Sequence, residues 1–134
     1  MSIDCRMQNN KITVIVCAYN QGSWLTKCLK TLINQKKLFK KDYEIILVND
    51  ASEDSTDKVF KKFRHIKYLR YIKNKINLGL PKSINIAIKK SKGKFVVRVD
   101  ADDFVDVNFL QLTRNFLENN PKSGIYNIGS GKPK

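Results

Sequence analysis

Apolar positions along the chain alternate between two rhythms. The run KITVIVCAY is continuous and β-branched, which suits a strand covered on both faces. After NQGS, the residues Trp24, Leu25, Cys28, Leu29, Leu32 and Ile33 recur at helical spacing and form the expected core face of a first helix. Gly22 and Ser23 stand where its cap belongs. YEIILVND repeats the buried-strand signature, and ASEDST then supplies small and acidic residues to open a second helix carrying Val59, Phe60 and Phe63. A third strand over about 67–72 leads into the loop KNKINLGL. Pro81 fits a first helical position, with Ile84, Ala87 and Ile88 as the buried face of a third helix. GKFVVRVD reads as the fourth strand. Val105, Phe109, Leu112 and Phe116 then step by four, three and four, as a last amphipathic helix that stops near ENNP.

Strands alternating with helices imply right-handed crossovers and a mostly parallel sheet with helices on both faces, an α/β fold. A chain of 134 residues can bury one sizeable core. That domain is expected over 11–120, between a polar tail at 1–10 and a tail at 121–134 whose composition shifts to small residues. No apolar run approaches the roughly 20 residues that span a bilayer. The first ten residues lack the apolar core of a secretory signal, so a cytoplasmic location is expected.

Charge changes the picture. Lysine and arginine number 26 against 12 acids, a formal net charge of +14. The lysines are spread along the chain, as on solvated helix faces. The segment KYLRYIKNK interleaves aromatics with cations, as a single-stranded nucleic-acid platform would, but it reads equally as a short strand followed by a basic loop. Nucleic acid is the weaker reading. Attraction to an anionic lipid surface, at the inner face of a membrane, or to a phosphorylated substrate is the milder one. Cys5, Cys17 and Cys28 form no CxxC pair, and His65 is the only histidine, so a zinc site is not spelled and the thiols are expected to be buried or idle.

In such sheets ligands bind outside the carboxyl ends of the strands. The residues there are Ala18, Tyr19 and Asn20 after the first strand, Asn49, Asp50 and Ser52 after the second, and Asp100, Asp102 and Asp103 after the fourth. Side chains at i and i+2 of an extended segment point the same way, so Asp100 and Asp102 can reach one site. Like charges that close favour a cation between them. Carboxylate oxygens without histidine or thiolate suit Mg²⁺ or Mn²⁺, with water and substrate phosphates completing the shell. Alternatively, DADD is a turn whose Asp103 caps the following helix. Asp50 can accept from an N–H of a base or a ribose hydroxyl, or cap the next helix, a task Ser52 or Asp54 could also perform. Neither GxGxxG nor GxxxxGK[ST] occurs, so a metal-bridged diphosphate is the economical nucleotide reading.

The ordered set ITVIVCAYNQGSWLTKCLKTLINQ, YEIILVNDASEDST and NLGLPKSINIAIKKSKGKFVVRVDADD resembles the nucleotide-binding half of the family 2 inverting glycosyltransferases with the GT-A fold, over about residues 11–119. The resemblance implies a nucleotide-activated sugar donor, most often UDP-linked, with a divalent ion and a saccharide, lipid or protein acceptor. It implies that Ala18, Tyr19 and Asn20 line the nucleoside, that Asp50 receives the base N–H, and that Asp100 and Asp102 form the DxD motif. In that motif Asp100 contacts the ribose or sugar and Asp102 the metal. Asn77, Gly79, Lys82 and Asn85 fall in the family's segment facing the nucleoside and phosphates.

Family members place the general base and most acceptor contacts well beyond that motif. Only Asp106 and Glu118 follow Asp103 here, and neither stands where the family supplies the base. The domain is therefore expected to be incomplete at its C-terminal side, with an uncovered edge that favours self-association or a partner chain. The tail GIYNIGSG is instead similar to a short segment of NAD-dependent sugar-nucleotide epimerases, whose own Gly-rich fingerprint is missing. Three functions follow: a metal-dependent glycosyltransferase, a donor-binding module without independent catalysis, and a basic binder of nucleic acid or anionic membrane.

Overall fold

A computed structural model of the chain describes residues 11–120. Four strands, β1 (Ile12–Ala18), β2 (Tyr43–Asn49), β3 (Leu69–Lys73) and β4 (Phe95–Arg98), alternate with helices α1 (Gly22–Ile33), α2 (Thr56–Phe63), α3 (Leu80–Lys90) and α4 (Phe109–Asn119). All pairings are parallel, in the order β3-β2-β1-β4. The chain winds outward from β1 to β3 and then returns to the far side of β1, so the order reverses between β1 and β4. Ligands bind at such a switch point, outside the strand ends.

Side-chain alternation divides the strands between two cores, because successive residues face opposite sides of a sheet. Ile12, Val14, Val16, Ile45 and Leu47 meet Leu25, Leu29 and Leu32 of α1, Val59 and Phe63 of α2, and Leu110 of α4. Ile15, Ile46 and Val48 meet Ala87 of α3 on the other face. Both faces of β1 and β2 are thus covered, which is why their sequences are apolar without alternation.

Four expectations are corrected. Trp24 is 58% exposed rather than packed. Neighbouring helix residues are about 100° apart, so with Leu25, Leu29 and Leu32 turned inward Trp24 falls on the flank. In α3 the buried residues are Ser83 and Ala87, while Ile88 is exposed. In α4 they are Leu110 and Thr113, and Leu112 and Phe116 lie outside. Finally, α1 has no side-chain cap of its own. The N–H of Gly22 instead donates to Asp54 Oδ2 at 2.9 Å, across 32 residues. A Cβ at Gly22 would come within 2.8 Å of the Thr56 backbone nitrogen, so the small residue permits the close approach of α1 to the start of α2.

Candidate functional site

The loops after β1 and β2 are stitched into one platform. Asn20, in the left-handed region at φ 54°, donates its N–H to Ser52 Oγ at 2.9 Å and accepts from Glu53 N–H on its own Oδ1 at 2.8 Å. Asn49 Oδ1 accepts from Ser52 N–H, and its amide donates to the Tyr71 hydroxyl. Ala51 also has a positive φ, 61°, a conformation that costs a β-carbon residue energy and that these cross-loop bonds hold in place. Ala18 is buried and offers backbone only: its carbonyl accepts from Asp50 N–H at 2.9 Å.

Asp50 is 4% exposed. Its Oδ1 accepts from Leu78 N–H at 2.8 Å and Asn74 Nδ2 at 2.9 Å, and its Oδ2 accepts from Gly79 N–H at 2.9 Å. The carboxylate read as a base acceptor therefore faces the protein and ties down the loop that leads into α3. Burial pushes its pKa up, but the bonds from Leu78, Asn74 and Gly79 outweigh burial and hold it below the usual carboxylate range. Gly79 sits at φ 90°, ψ 162°, a conformation open to glycine. Asn77 and Lys82 are exposed, and the Asn77 amide donates to the Asp50 carbonyl at 3.3 Å.

Between the β1, β2 and β3 ends lies an open cleft of about 680 Å³, lined by Tyr19, Ser52, Glu53, Lys73, Lys75 and Asn77 among others. Tyr19 and Asn77 were read from the sequence as nucleoside-facing residues. Lys73 and Lys75 were not, because they looked like part of a generic basic loop; their position just past a strand end was the available signal.

At the end of β4, one ligand oxygen each from Asp100, Asp102 and Asp103 lie within 4.8 Å of one another. Asp103 N–H donates to the Asp100 carbonyl at 2.9 Å, so the segment is a turn. Since α4 begins only at Phe109, Asp103 does not cap it. Arg98, missed in the sequence, pairs with Asp100 at 3.3 Å, with both side chains about half exposed. An ion pair that open contributes roughly 0–1 kcal/mol and leaves the cluster acidic. The oxygen-only donor set fits a hard divalent cation. Burial pushes the Cys17 thiol up to about 11 and the Cys28 thiol up to about 12, which keeps both protonated near neutral pH. Cys5 and the GIYNIGSG segment lie outside the described residues.

The platform has a pH signature. Asp54, despite some burial, is held low by Thr56 and Gly22. Asp57 is held low by the Tyr71 hydroxyl. With Asp50, each contributes stability that is complete above the unfolded carboxylate value of about 4 and is lost as pH falls through the lower folded value. The melting temperature is expected to hold down to about pH 5 and to drop by about pH 3. A flat profile over that window would contradict this electrostatic assignment.

Residues 13–129 match Glycosyl transferase family 2. The chain is 34% identical over 110 residues to an uncharacterized glycosyltransferase of Haemophilus influenzae, covering 81% of this chain and 33% of that protein. It is 35% identical over 112 residues to the poly(ribitol-phosphate) beta-glucosyltransferase of Bacillus spizizenii, covering 82% of this chain and 18% of that one. In structure it is similar to residues 1-349 of S. aureus TarS in complex with UDP, with a TM-score of 0.74, 33% identity, and coverage of 81% of this chain and 32% of that one. The chain thus spans a third or less of the length of these relatives.

Proposed function

The chain belongs to glycosyl transferase family 2, and from that premise we propose that the strand-end edge of its GT-A-type sheet binds a nucleotide-activated sugar, UDP-linked, through a divalent cation at Asp100 and Asp102. The observation that carries this reading is the carboxylate trio within 4.8 Å, beside the point where strand order reverses. Mn²⁺ or Mg²⁺ there would act as a Lewis acid toward the departing nucleoside diphosphate.

The chain's own residues divide the remaining work. Tyr19 and Asn77 line the nucleoside cleft. Asn20 and Asp50 act through the loops they hold, Ala18 through its backbone, and Gly79 through the turn into α3. Lys73, Lys75 and Lys82 add positive potential near a diphosphate. Transfer with inversion needs a base, and neither of the two carboxylates that follow Asp103 is assigned to it: Asp106 accepts from Asn108 N–H, and Glu118 pairs with Arg114. Donor binding is the part of the reaction assigned to these residues.

A competition panel tests the nucleotide. UDP is expected to bind at least about tenfold more tightly than GDP or ADP, a difference of about 1.4 kcal/mol. Equal affinities would contradict the uridine assignment.

A further inference from the structure

Lysines that look dispersed in sequence are gathered by the topology. Because every strand is parallel, the segments that lead into strands all lie at one edge of the sheet and those that leave them at the other. The leading segments, residue 11, 34–42, 64–68 and 91–94, carry nine lysines and arginines against the single acid Asp42. The leaving segments, 19–21, 50–55, 74–79 and 99–108, carry seven acids against the single lysine Lys75. The domain is therefore strongly dipolar along the strand direction.

The basic edge has its own shape. An open basin of about 420 Å³ is walled by Lys11, Lys40, Lys41, Lys67, Arg70 and Lys92. Its floor is the buried Glu44, which accepts from Thr13 Oγ1 at 2.7 Å, Lys92 N–H at 2.7 Å and Arg70 at 2.9 Å. Next to it, the loop KKLFKK turns at Lys37, whose φ is 61°. Leu38 packs against the core, and Phe39 points out at 72% exposure. That outward pose is built in. Phe39 N–H donates to Asp42 Oδ2 at 2.7 Å, and Asp42 N–H donates back to the Phe39 carbonyl at 2.9 Å. All four flanking lysines are exposed.

We propose that this edge docks the domain on an anionic lipid bilayer, with Phe39 entering the headgroup boundary and the surrounding lysines drawn to lipid phosphates. Charge complementarity alone would suit any polyanion. An exposed aromatic held outward among lysines favours a surface with an apolar layer beneath its charge. The pose has a consequence for the reaction proposed above, although it does not depend on it. A seven-residue strand is roughly 23 Å long, so the carboxylate edge stands about that far from the membrane. An acceptor would reach it as an extended chain end rather than as a short lipid headgroup.

Co-sedimentation of the full chain with phosphatidylcholine vesicles, with and without phosphatidylglycerol, tests the docking. Binding is expected only with the anionic lipid. Lys40→Glu with Lys41→Glu should weaken it at least about thirtyfold, since each lysine lost is about 1 kcal/mol and the added carboxylates are repelled by the lipid. Lys58→Glu with Lys75→Glu, which makes the same net change away from the edge, should weaken it less than about fivefold. Equal losses in the two pairs would overturn the oriented dock. In Phe39→Trp, emission should shift to the blue on anionic vesicles and not on heparin. A shift on neither, or the same shift on both, would overturn lipid as the partner. Phe39 is exposed, so an unchanged thermal melt confirms that each comparison is made on folded protein.

Discussion

Asp50→Ala is expected to lower the melting temperature by roughly 10 °C, the consequence of losing about 3 kcal/mol in a domain of this size. The substitution strands three donors at once, the N–H groups of Leu78 and Gly79 and the amide of Asn74. A buried donor left without an acceptor costs about 1–3 kcal/mol, with water entry offsetting part of the sum. Asn74 and Ser83, joined at 3.1 Å, are themselves buried beneath the carboxylate, so the disturbance reaches the start of α3. Asp50→Asn should rescue little. It keeps an oxygen for one side, but its NH₂ would face the N–H of the other. Thermal melts of the two variants check this account. A change of less than about 3 °C in both would mean that the loop does not depend on the carboxylate.

The same residue shows where sequence reading stops. Asp50 is legible as a polar residue at a strand end, because the apolar run before it ends abruptly. Its donors lie 24, 28 and 29 residues downstream, and nothing local announces them. The Asp54 bond to Gly22 is hidden for the same reason. β1 and β2 were readable because burial on both faces leaves a continuous apolar run, and the trio at 100–103 because three carboxylates in four positions need a reason. Helix faces were less so. Periodicity finds a stripe such as Leu112 and Phe116, but which stripe meets the sheet depends on the angle at which the chain arrives, and the contacts that hold α4 in place, such as Leu110 N–H to Gln35 Oε1, are distant in sequence. The charge dipole was invisible because alternate loops, adjacent in sequence, lie at opposite edges of a parallel sheet.

Asp102→Ala should have the largest effect on binding. In the proposed donor site, removing one carboxylate from the oxygen-only cluster would take away an anionic ligand of the cation that neutralises the diphosphate. UDP affinity in Mn²⁺ is expected to fall at least about a hundredfold, some 2.7 kcal/mol. Stability should fall less than in Asp50→Ala, because removing one of three neighbouring carboxylates relieves like-charge repulsion, whereas Asp50 is buried and holds three donors. That pattern differs from Asp50→Ala, whose expected effect is on the fold. A variant that binds UDP as well as the parent would remove Asp102 from the donor site.

Calorimetric titration of UDP into the folded chain, once with Mn²⁺ and once with EDTA, tests the central claim most directly. The strand-end site predicts binding near micromolar, about 8 kcal/mol, in Mn²⁺ and none in EDTA. Equal affinity in both, or no heat with Mn²⁺ in a sample whose melt shows it is folded, would contradict a metal-dependent donor site at Asp100 and Asp102.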